Sequence, residues 1–241
     1  MKILGLIPAR YGSTRLPGKA LEMIRGKTMI QRVYEQASQC PELDEVIIAT
    51  DHENIATHCE QFNGRVLITS TEHKSGTDRC AEALEKTGKE FDYVINIQGD
   101  EPFINPRQIS LLAQELNGDT EIATLVKHTQ NIKNIEDPNV VKVVRSIHGN
   151  ALYFSRSKIP YLRNPSTNDI EYFKHIGIYA YRSDILKEIT QLQPSSLEIA
   201  ESLEQLRWLE YGFSIKAVLT DIDSAGIDTP EDLEKARNSV K

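Results

Sequence analysis

The sequence contains few cysteines and no long apolar run, and both shortages exclude whole classes of protein. Its three cysteines, Cys40, Cys59 and Cys80, are far apart and form no Cys-x-x-Cys pair, so we expect neither a disulfide framework nor a cysteine-ligated metal site. No apolar stretch approaches the ~20 residues that a membrane span requires. Arg10 interrupts the short apolar start and no small-residue cleavage site follows, so we expect no signal peptide, no stable membrane association and a cytoplasmic location.

The sequence also lacks an excess of positive charge. Its 28 Lys and Arg residues face 35 Asp and Glu residues, a net charge of −7. A general nucleic-acid surface needs clustered basic residues, so no nucleic-acid partner is expected. An acidic protein can still bind an anionic ligand where its few cations converge. The 241 residues, 39% hydrophobic and 26% charged, are typical of one globular domain spanning 1–241.

Short β-branched segments alternate with amphipathic ones through the first half of the chain. The predicted strands are 3–7, 46–48, 66–68 and 94–97, and the predicted helices are 29–38, 53–62 and 77–86. Thr28 is the expected N-cap of the first helix, with Gln31 as its capping-box partner. The alternation predicts an α/β three-layer, Rossmann-like sandwich with a mostly parallel central sheet, whose active site lies at the carboxyl ends of the strands.

The second half of the chain is richer in predicted strands. These are 140–145, 151–155, 174–182 and 214–219, with a polar loop between Arg163 and Asp169 and a single helix over 197–211. Thr229 as N-cap, followed by Pro230 and two acidic residues, predicts the start of a final helix.

The segment from Pro8 to Lys19 leaves the first strand and has the composition of a triphosphate-binding loop. It holds two glycines, two hydroxyl side chains and three cations: Gly12, Gly18, Ser13, Thr14, Arg10, Arg15 and Lys19. Glycines let backbone N–H groups turn toward an anion, and a triphosphate of about four negative charges needs this density of cations. The Walker A motif is disfavoured, because the spacing Gly12-x5-Gly18-Lys19 is one residue too long and Ala20 has no hydroxyl for magnesium.

Two carboxylates are candidate ligands of Mg²⁺. Asp100 follows the strand 94–97, and Asp228 directly precedes the final helix, where a capping role is the alternative. Magnesium is usually held by one or two carboxylates together with substrate phosphates and water. Pro102 restricts Glu101 to an extended backbone, so we expect Asp100 rather than Glu101 to hold the metal. Asp221 and Asp223 are expected to be solvated.

Several segments, taken in order from residue 3 to residue 236, resemble those of the cytidylyltransferases that make CMP-activated sugar acids. Within that family they resemble most the enzymes that act on 3-deoxy-manno-octulosonate (Kdo). The matching segments are 7–19, 49–51, 73–79, 96–102, 175–181, 203–207 and 226–233. The resemblance implies CMP transfer from CTP to the anomeric hydroxyl of Kdo, with release of diphosphate, for lipopolysaccharide biosynthesis.

The resemblance also implies residue roles. The catalytic residues would be Lys19, Asp100 and Arg10, and the magnesium ligands Asp100 and Asp228. The nucleotide would contact Ala9, Arg10, Ser13, Lys19, Ser75, Gly76, Thr77, Arg79 and Gln98. The sugar acid would contact His175, Tyr179, Glu204 and Gln205. The family further implies a homodimer, formed through an inserted β-rich segment around 130–190 that also takes part in sugar binding.

The residues themselves leave alternatives open. His175 and Tyr179 are four apart in a predicted strand and so project from one face, as packing residues also do. Glu204 and Gln205 lie on a predicted helix, where such a pair is ordinarily a solvated face. The acceptor could be 8-amino-Kdo or a sialic-type acid, or the chain could be a non-catalytic nucleotide-binding protein. Arg156, Lys158 and Arg163 are available for the sugar carboxylate, without a choice among them.

Overall fold

The computed structural model describes residues 1–12, 16–164, 170–224 and 226–239. In chain order the strands are β1 (Ile3–Ala9), β2 (Met23–Ile24), β3 (Lys27–Thr28), β4 (Glu45–Thr50), β5 (Val66–Ile68), β6 (Tyr93–Asn96), β7 (Ile122–Thr129), β8 (Lys142–Arg145), β9 (Ala151–Ser155), β10 (Tyr172–Arg182) and β11 (Ile215–Leu219). The helices are α1 (Met29–Ala37), α2 (Glu53–Gln61), α3 (Gly76–Lys86), α4 (Pro106–Gln114), α5 (Ile132–Glu136), α6 (Ser183–Ile189), α7 (Ser196–Glu201), α8 (Gln205–Glu210) and α9 (Pro230–Ser239). Across these described ranges, no helix combines the length and the apolar character needed to cross a membrane.

The central sheet is mostly parallel, as the sequence predicts. Its main path runs β11-β7-β10-β6-β1-β4-β5. β1 pairs in parallel with β4 and β6, β4 with β5, and β11 with β7, whereas β10 is antiparallel to both β6 and β7. The carboxyl ends of the six parallel strands therefore share one edge of the sheet with the amino end of β10.

Helices cover both faces of this sheet, because successive side chains of each buried strand point to opposite sides. On β1, Ile3 and Ile7 pack with α1, α2 and α4, whereas Leu4 and Leu6 pack with α3, α6 and α8. The three-layer α/β sandwich is confirmed. The last helix, α9, packs apart from both layers, through Leu233, on the β2–β3 hairpin.

Most of the predicted elements are present, with ends that differ by one or two residues. Thr28 caps α1 by accepting a hydrogen bond from the Gln31 backbone, but the Gln31 side chain bonds Glu35 instead of returning to the cap, so the reciprocal half of that capping box is wrong. At α9 the capping is mutual, since Thr229 accepts from the Asp232 backbone and the Asp232 carboxylate accepts from that of Thr229.

The predicted single helix over 197–211 is wrong. The chain forms α7 and α8 instead, separated at Ser202, whose φ of 52° lies in the left-handed region and breaks the helix. The two short helices are tied together by Arg207, which donates to both carboxylate oxygens of Glu198. This break lets Glu204 and Gln205 leave the expected exposed face, and Gln205 is buried.

Residues 130–190, predicted to be an inserted segment, contribute both to the sheet and to an extension of it. β8 and β9 form an antiparallel pair attached to one end of β10, whose other end lies between β6 and β7. The pairing of β10 with β7 shifts between Ile176 and Tyr179, a β-bulge at the active-site edge of the sheet. A separate functional role for the segment stays a prediction.

Lys142 of β8 is fully buried and its ammonium group organises the start of this extension. Nζ donates to the backbone carbonyls of Asp137 at 2.8 Å, Val140 at 2.6 Å and Arg156 at 2.5 Å. Burial lowers the pKa of Lys142. Three carbonyls satisfy all three N–H donors of an ammonium group, and they depend on it in turn.

Replacement of this lysine by methionine, which has a similar length and no donor, is expected to destabilise the fold. In Lys142→Met three carbonyls lose their partner, and we expect the free energy of unfolding to fall by about 3 kcal/mol. Urea denaturation measures this, with the exposed Lys187→Met as the matched control. A loss no larger than that of the control would show that Lys142 does not hold the segment.

Candidate active site

Lys19, Asp100 and Asp228 meet at the edge of the sheet where β1 and β6 end. The Lys19 ammonium donates to Asp100 Oδ2 at 2.7 Å and to Asp228 Oδ1 at 3.0 Å. The Ile227 N–H donates to the Asp100 carbonyl at 2.9 Å, which fixes the segment before α9 against the end of β6. One cation therefore joins two carboxylates that are remote from it and from each other along the chain.

The ends of β1 and β6 approach each other closely around Pro8. A Cβ on Gly99 would lie 2.6 Å from the Pro8 carbonyl oxygen, so only glycine fits there without a backbone shift. A Cβ on Gly76, at the start of α3, would lie 3.3 Å from the Pro8 ring. These two contacts place the segment before Asp100 and the first turn of α3 next to Pro8, at the end of β1.

The loop after β1 closes on itself and does not lead into an α-helix. The Gly18 N–H donates to the Tyr11 carbonyl at 3.1 Å, and Gly18 has a φ of 68° that favours glycine. A short 3₁₀ turn, Lys19–Leu21, follows, and the first α-helix begins only at Met29. This confirms that the segment is not a P-loop. Ser13, with Thr14 and Arg15, lies outside the described residues, so its predicted contact with the nucleotide stays a prediction.

Arg79 of α3 holds the loop after β1 in place through Asp51. Its guanidinium donates to Asp51 Oδ2 at 2.9 Å and to Thr69 Oγ1 at 2.6 Å, and Asp51 Oδ1 accepts from the Tyr11 N–H at 3.0 Å. The Tyr11 ring stacks on His52, with 3.9 Å between ring centroids. A buried, fully hydrogen-bonded ion pair of this kind rigidifies what it touches. It ties the loop after β1 to the ends of β4 and β5.

These elements enclose a cleft of about 400 Å³ at the carboxyl ends of the strands. It is lined by nine of the predicted nucleotide-binding, catalytic or metal-binding residues: Ala9, Arg10, Lys19, Ser75, Gly76, Arg79, Gln98, Asp100 and Asp228. Thr77, in the first turn of α3, is buried and does not line the cleft. His73 and Lys74, which the sequence did not single out, also line the cleft.

The cleft concentrates positive charge in an acidic protein. Arg10 and Lys74 line it without forming an ion pair in the described part of the chain, while Lys19 and Arg79 are paired with carboxylates. A polyanion that enters meets Arg10 and Lys74 directly, and it can draw Lys19 away from its carboxylates.

The two carboxylates suit a Mg²⁺ ion whose remaining coordination positions are filled by the substrate and by water. One oxygen of each carboxylate accepts from the Lys19 ammonium, so both face the same point. The Asp100 side chain is 30% exposed and the Asp228 side chain 44% exposed. Among the described residues no cluster of three or more His, Cys, Asp or Glu residues could form a closed metal cage. Two carboxylates in an open site match the preference of Mg²⁺ for water and phosphate oxygens as its remaining ligands.

The neighbouring acidic residues behave differently from these two. Glu101 is 7% exposed and does not line the cleft, whereas Asp100 does. Burial, followed by the charge of Asp100, raises the pKa of Glu101 to about 7. The expectation that Asp223 is solvated is confirmed, since its side chain is 53% exposed. Lys127 and Lys174 also donate to its carboxylate, and these two cations outweigh partial desolvation and lower its pKa.

His175 and Tyr179 lie on β10 at the far side of Gln98. Gln98 Nε2 donates to the Gly177 carbonyl at 2.8 Å, so the bulge of β10 contacts the cleft through Gln98. The rings of His175 and Tyr179 are 5.2 Å apart, as expected for residues that project from one face. His175 Nε2 lies 3.0 Å from Thr124 Oγ1, whose hydroxyl donates to the Ile178 carbonyl and thus accepts from the imidazole.

Neither Glu204 nor Gln205 lies on a solvated face, since Glu204 contacts α3 and Gln205 is buried. Glu204 accepts a hydrogen bond from Thr77 Oγ1 at 2.9 Å, and it lines a second cleft of about 600 Å³. Lys74 and Ser75 line both clefts, so the two are contiguous. The guanidinium of Arg156 donates to the carbonyls of Pro138, Glu201 and Ser202, so it fixes this part of the chain.

The sequence missed Thr124, Lys74 and the contact between Thr77 and Glu204. Thr124 and the Thr77–Glu204 contact are pairings between residues 51 and 127 positions apart, for which a single sequence carries no local signal. Lys74 does have a signal, since it is a cation inside the matching segment 73–79, although the resemblance implies no role for it.

The enclosure of His175 predicts a pH dependence of stability. Burial lowers its pKa from 6.5 to about 4, so the imidazole is neutral near pH 7. A group whose pKa is depressed by folding contributes stability that is present above pH 6.5 and is lost as the pH falls toward 4. The free energy of unfolding, measured by denaturation across this range, should fall less steeply for His175→Gln than for the wild type. The exposed His148→Gln is the control, and equal slopes for all three proteins would contradict the enclosure of His175.

Comparison with known proteins agrees with this geometry. The chain matches the cytidylyltransferase family over residues 4–219. It is 54% identical over 238 residues to the 3-deoxy-manno-octulosonate cytidylyltransferase of Cytophaga hutchinsonii, covering 97% of this chain and 95% of that protein. It is 53% identical over 249 residues to the enzyme of the same name from Bacteroides thetaiotaomicron, covering 100% of this chain and 99% of that protein.

A solved structure also matches this chain closely in fold. The structure of CMP:2-keto-3-deoxy-manno-octonic acid synthetase complexed with CTP matches with a TM-score of 0.94 and 45% identity, over 99% of this chain and 98% of that one. A 4-diphosphocytidyl-2C-methyl-D-erythritol synthase from Anaerococcus prevotii, at 12% identity and a TM-score of 0.65, shares the fold alone. The chain belongs to the cytidylyltransferase family, among the 3-deoxy-manno-octulosonate cytidylyltransferases.

Proposed function

We propose that this chain transfers CMP from CTP to the anomeric hydroxyl of Kdo, giving CMP-Kdo and diphosphate for lipopolysaccharide biosynthesis. The observation that carries the proposal is the cluster of Lys19, Asp100 and Asp228 on the floor of a cation-lined cleft. Similarity to the structure of a CTP-bound synthetase over nearly the whole chain supports it.

The triphosphate of CTP binds between the loop after β1 and the end of β6. Arg10 and Lys19 neutralise the charge of the triphosphate as the bond to diphosphate breaks. Ala9 lines the part of the cleft that the triphosphate occupies. Ser75 and Gly76, at the amino end of α3, and Gln98 line the part of the cleft left for ribose and cytosine. Arg79 contributes by holding the loop through Asp51.

Asp100 and Asp228 would hold Mg²⁺ in this site. When bound, the ion neutralises phosphate charge and acidifies the attacking hydroxyl. Lys19, released from the two carboxylates, is then free to turn toward the phosphates. Because transfer between oxygens needs positioning and charge neutralisation more than covalent chemistry, the residues present suffice without a protein nucleophile.

The sugar acid binds where the second cleft joins the first. Glu204 lines that cleft, and Lys74 and Ser75 lie at the junction. Gln205 and Tyr179 are buried, His175 is half-buried, and none of the three lines either cleft. His175 is neutral near pH 7, so it would act as a hydrogen-bonding group and not as a cation.

Diphosphate release tests this proposal directly. Purified protein with Mg²⁺ is assayed against CTP or UTP combined with Kdo, 8-amino-Kdo or a sialic acid, and we expect the fastest release with CTP and Kdo. Asp100→Asn should lower kcat by about 100-fold or more while the fold is retained. The exposed Asp119→Asn is the control. Faster release with another acceptor, or near-normal turnover in Asp100→Asn, would overturn the assignment of the acceptor or of the metal.

We further propose that the chain forms a homodimer through the segment 130–190. Three large apolar side chains of this segment, Ile147, Leu152 and Tyr161, are between 61% and 98% exposed. Ile147 and Leu152 belong to the β8–β9 extension and Tyr161 follows it, and exposed apolar side chains of this size are typical of a protein–protein interface.

Light scattering on a sizing column should give twice the chain mass for the wild type. Leu152→Glu, which places a charge on β9 within the proposed interface, should shift the protein to monomer. Ile199→Glu, at an equally exposed apolar position on α7, is the control and should remain dimeric. A monomeric wild type, or a dimer that survives Leu152→Glu unchanged, would contradict this interface.

A further inference from the structure

Thr77 and Glu204 form a direct contact between the two contiguous clefts. Thr77 is the second residue of α3, whose cap Ser75 and first residue Gly76 line the first cleft. Its hydroxyl donates to Glu204 Oε2 at 2.9 Å, and Glu204 lines the second cleft. The two residues are 127 positions apart, and Thr77 is only 3% exposed.

The hydroxyl of Thr77 has no route to a ligand in the first cleft. Thr77 is buried and does not line that cleft, and its hydroxyl already donates a hydrogen bond to the Glu204 carboxylate. Glu204 lies between α7 and α8, two residues after the left-handed Ser202 that ends α7. Its backbone is therefore not held by a long helix. The orientation of its carboxylate depends on what the side chain contacts.

The first turn of α3 is a favourable place for that carboxylate. Free N–H groups and the helix dipole favour a negative charge at a helix start, and the Ser75–Asp78 capping box fixes this turn. Burial raises the pKa of Glu204, and hydrogen bonds from Thr77 and Ser75 oppose the rise. The contact with Thr77 therefore both orients the carboxylate and favours its ionised form.

We infer that Thr77 is a positioning residue: its hydroxyl fixes Glu204 for contact with the sugar acid, instead of binding the nucleotide. The inference rests on the proposed function, since it assigns Glu204 to the acceptor side of the same site. It gives Thr77 a role that differs from the nucleotide contact expected from the sequence. Because Ser75 and Gly76 share its helical turn, the nucleotide and acceptor sites are built on one rigid element.

Three variants separate this role from packing. Thr77→Val removes the hydroxyl and keeps the shape, Thr77→Ser keeps the hydroxyl, and Glu204→Gln weakens the acceptor. In the diphosphate assay, Thr77→Val should raise KM for Kdo about tenfold at saturating CTP, the loss expected for a hydrogen bond to a charged group. KM for CTP at saturating Kdo should stay within about twofold, and Thr77→Ser should restore most of the affinity for Kdo.

A double-mutant cycle and the pH profile complete the test. If the hydroxyl acts through Glu204, Thr77→Val should add little to the effect of Glu204→Gln. The acid limb of kcat/KM for Kdo should also move to higher pH in Thr77→Val, because loss of the donor raises the pKa of Glu204 further. The charged and titratable groups that face Glu204 are Asp78 and Cys80 on α3, Arg207 on α8, and Tyr179 and Tyr181 on β10, and all remain in every variant.

The outcomes are distinct. Equal KM values for Kdo in Thr77→Val and wild type, equal rises for both substrates, or an additive cycle would overturn the inference and leave the proposed function standing. A wild-type protein that releases no diphosphate with CTP and Kdo removes the function, and the inference with it. Thr77→Ala, the smaller hydroxyl-free variant, replaces Thr77→Val if thermal unfolding shows that valine is not accommodated.

Discussion

The bridge from the Lys19 ammonium to Asp100 and Asp228 is the constraint around which this site is built. Lys19 follows β1, Asp100 follows β6, and Asp228 precedes α9. Asp100 and Asp228 are 81 and 209 positions from Lys19 in sequence. Two carboxylates that face one point repel each other unless a cation stands between them. Both ends of the chain must therefore return to the same edge of the sheet, which explains the close approach of Gly99 to Pro8 and the bond from Ile227 to the Asp100 carbonyl.

Around this bridge, buried side chains fix the positions of more exposed polar groups. Arg79 holds the loop after β1 through Asp51, Lys142 holds the segment before β8 through three carbonyls, and Thr77 holds Glu204. Each of these buried donors is paired, so each costs little and fixes the geometry of a more exposed group. The side chains left to meet a ligand, Arg10 and Lys74, lie on the rim of this rigid base. An acidic protein can bind a polyanion in this way, since local placement of cations outweighs the net charge.

The sequence predicts the parallel half of the fold well because buried parallel strands are continuous apolar runs. The position of the loop 8–19 and of Asp100 after buried strands predicts part of the cleft lining, whereas Ser75, Gly76, Arg79 and Gln98 were marked only by the resemblance to the family. The break at Ser202 was missed because serine seldom adopts a positive φ, and a run of helix-forming residues on either side gives no warning. α4 was missed although Asn105 and Pro106 are a recognisable start. The partners of His175 and Glu204 could not be found, since they depend on how strands and helices pack and not on local pattern.

We propose that Asp100 and Asp228 would exchange Lys19 for a magnesium ion when CTP binds. Calorimetric titration of CTP into wild type and Asp228→Asn, each with and without Mg²⁺, tests this exchange most directly. Without the metal, Asp228→Asn should bind CTP more tightly than the wild type, because one repelling carboxylate is gone and Lys19 is less restrained. With Mg²⁺ the order should reverse, because the variant has lost a ligand of the ion. Affinities that do not depend on Mg²⁺, or that keep the same order in both conditions, would contradict the account.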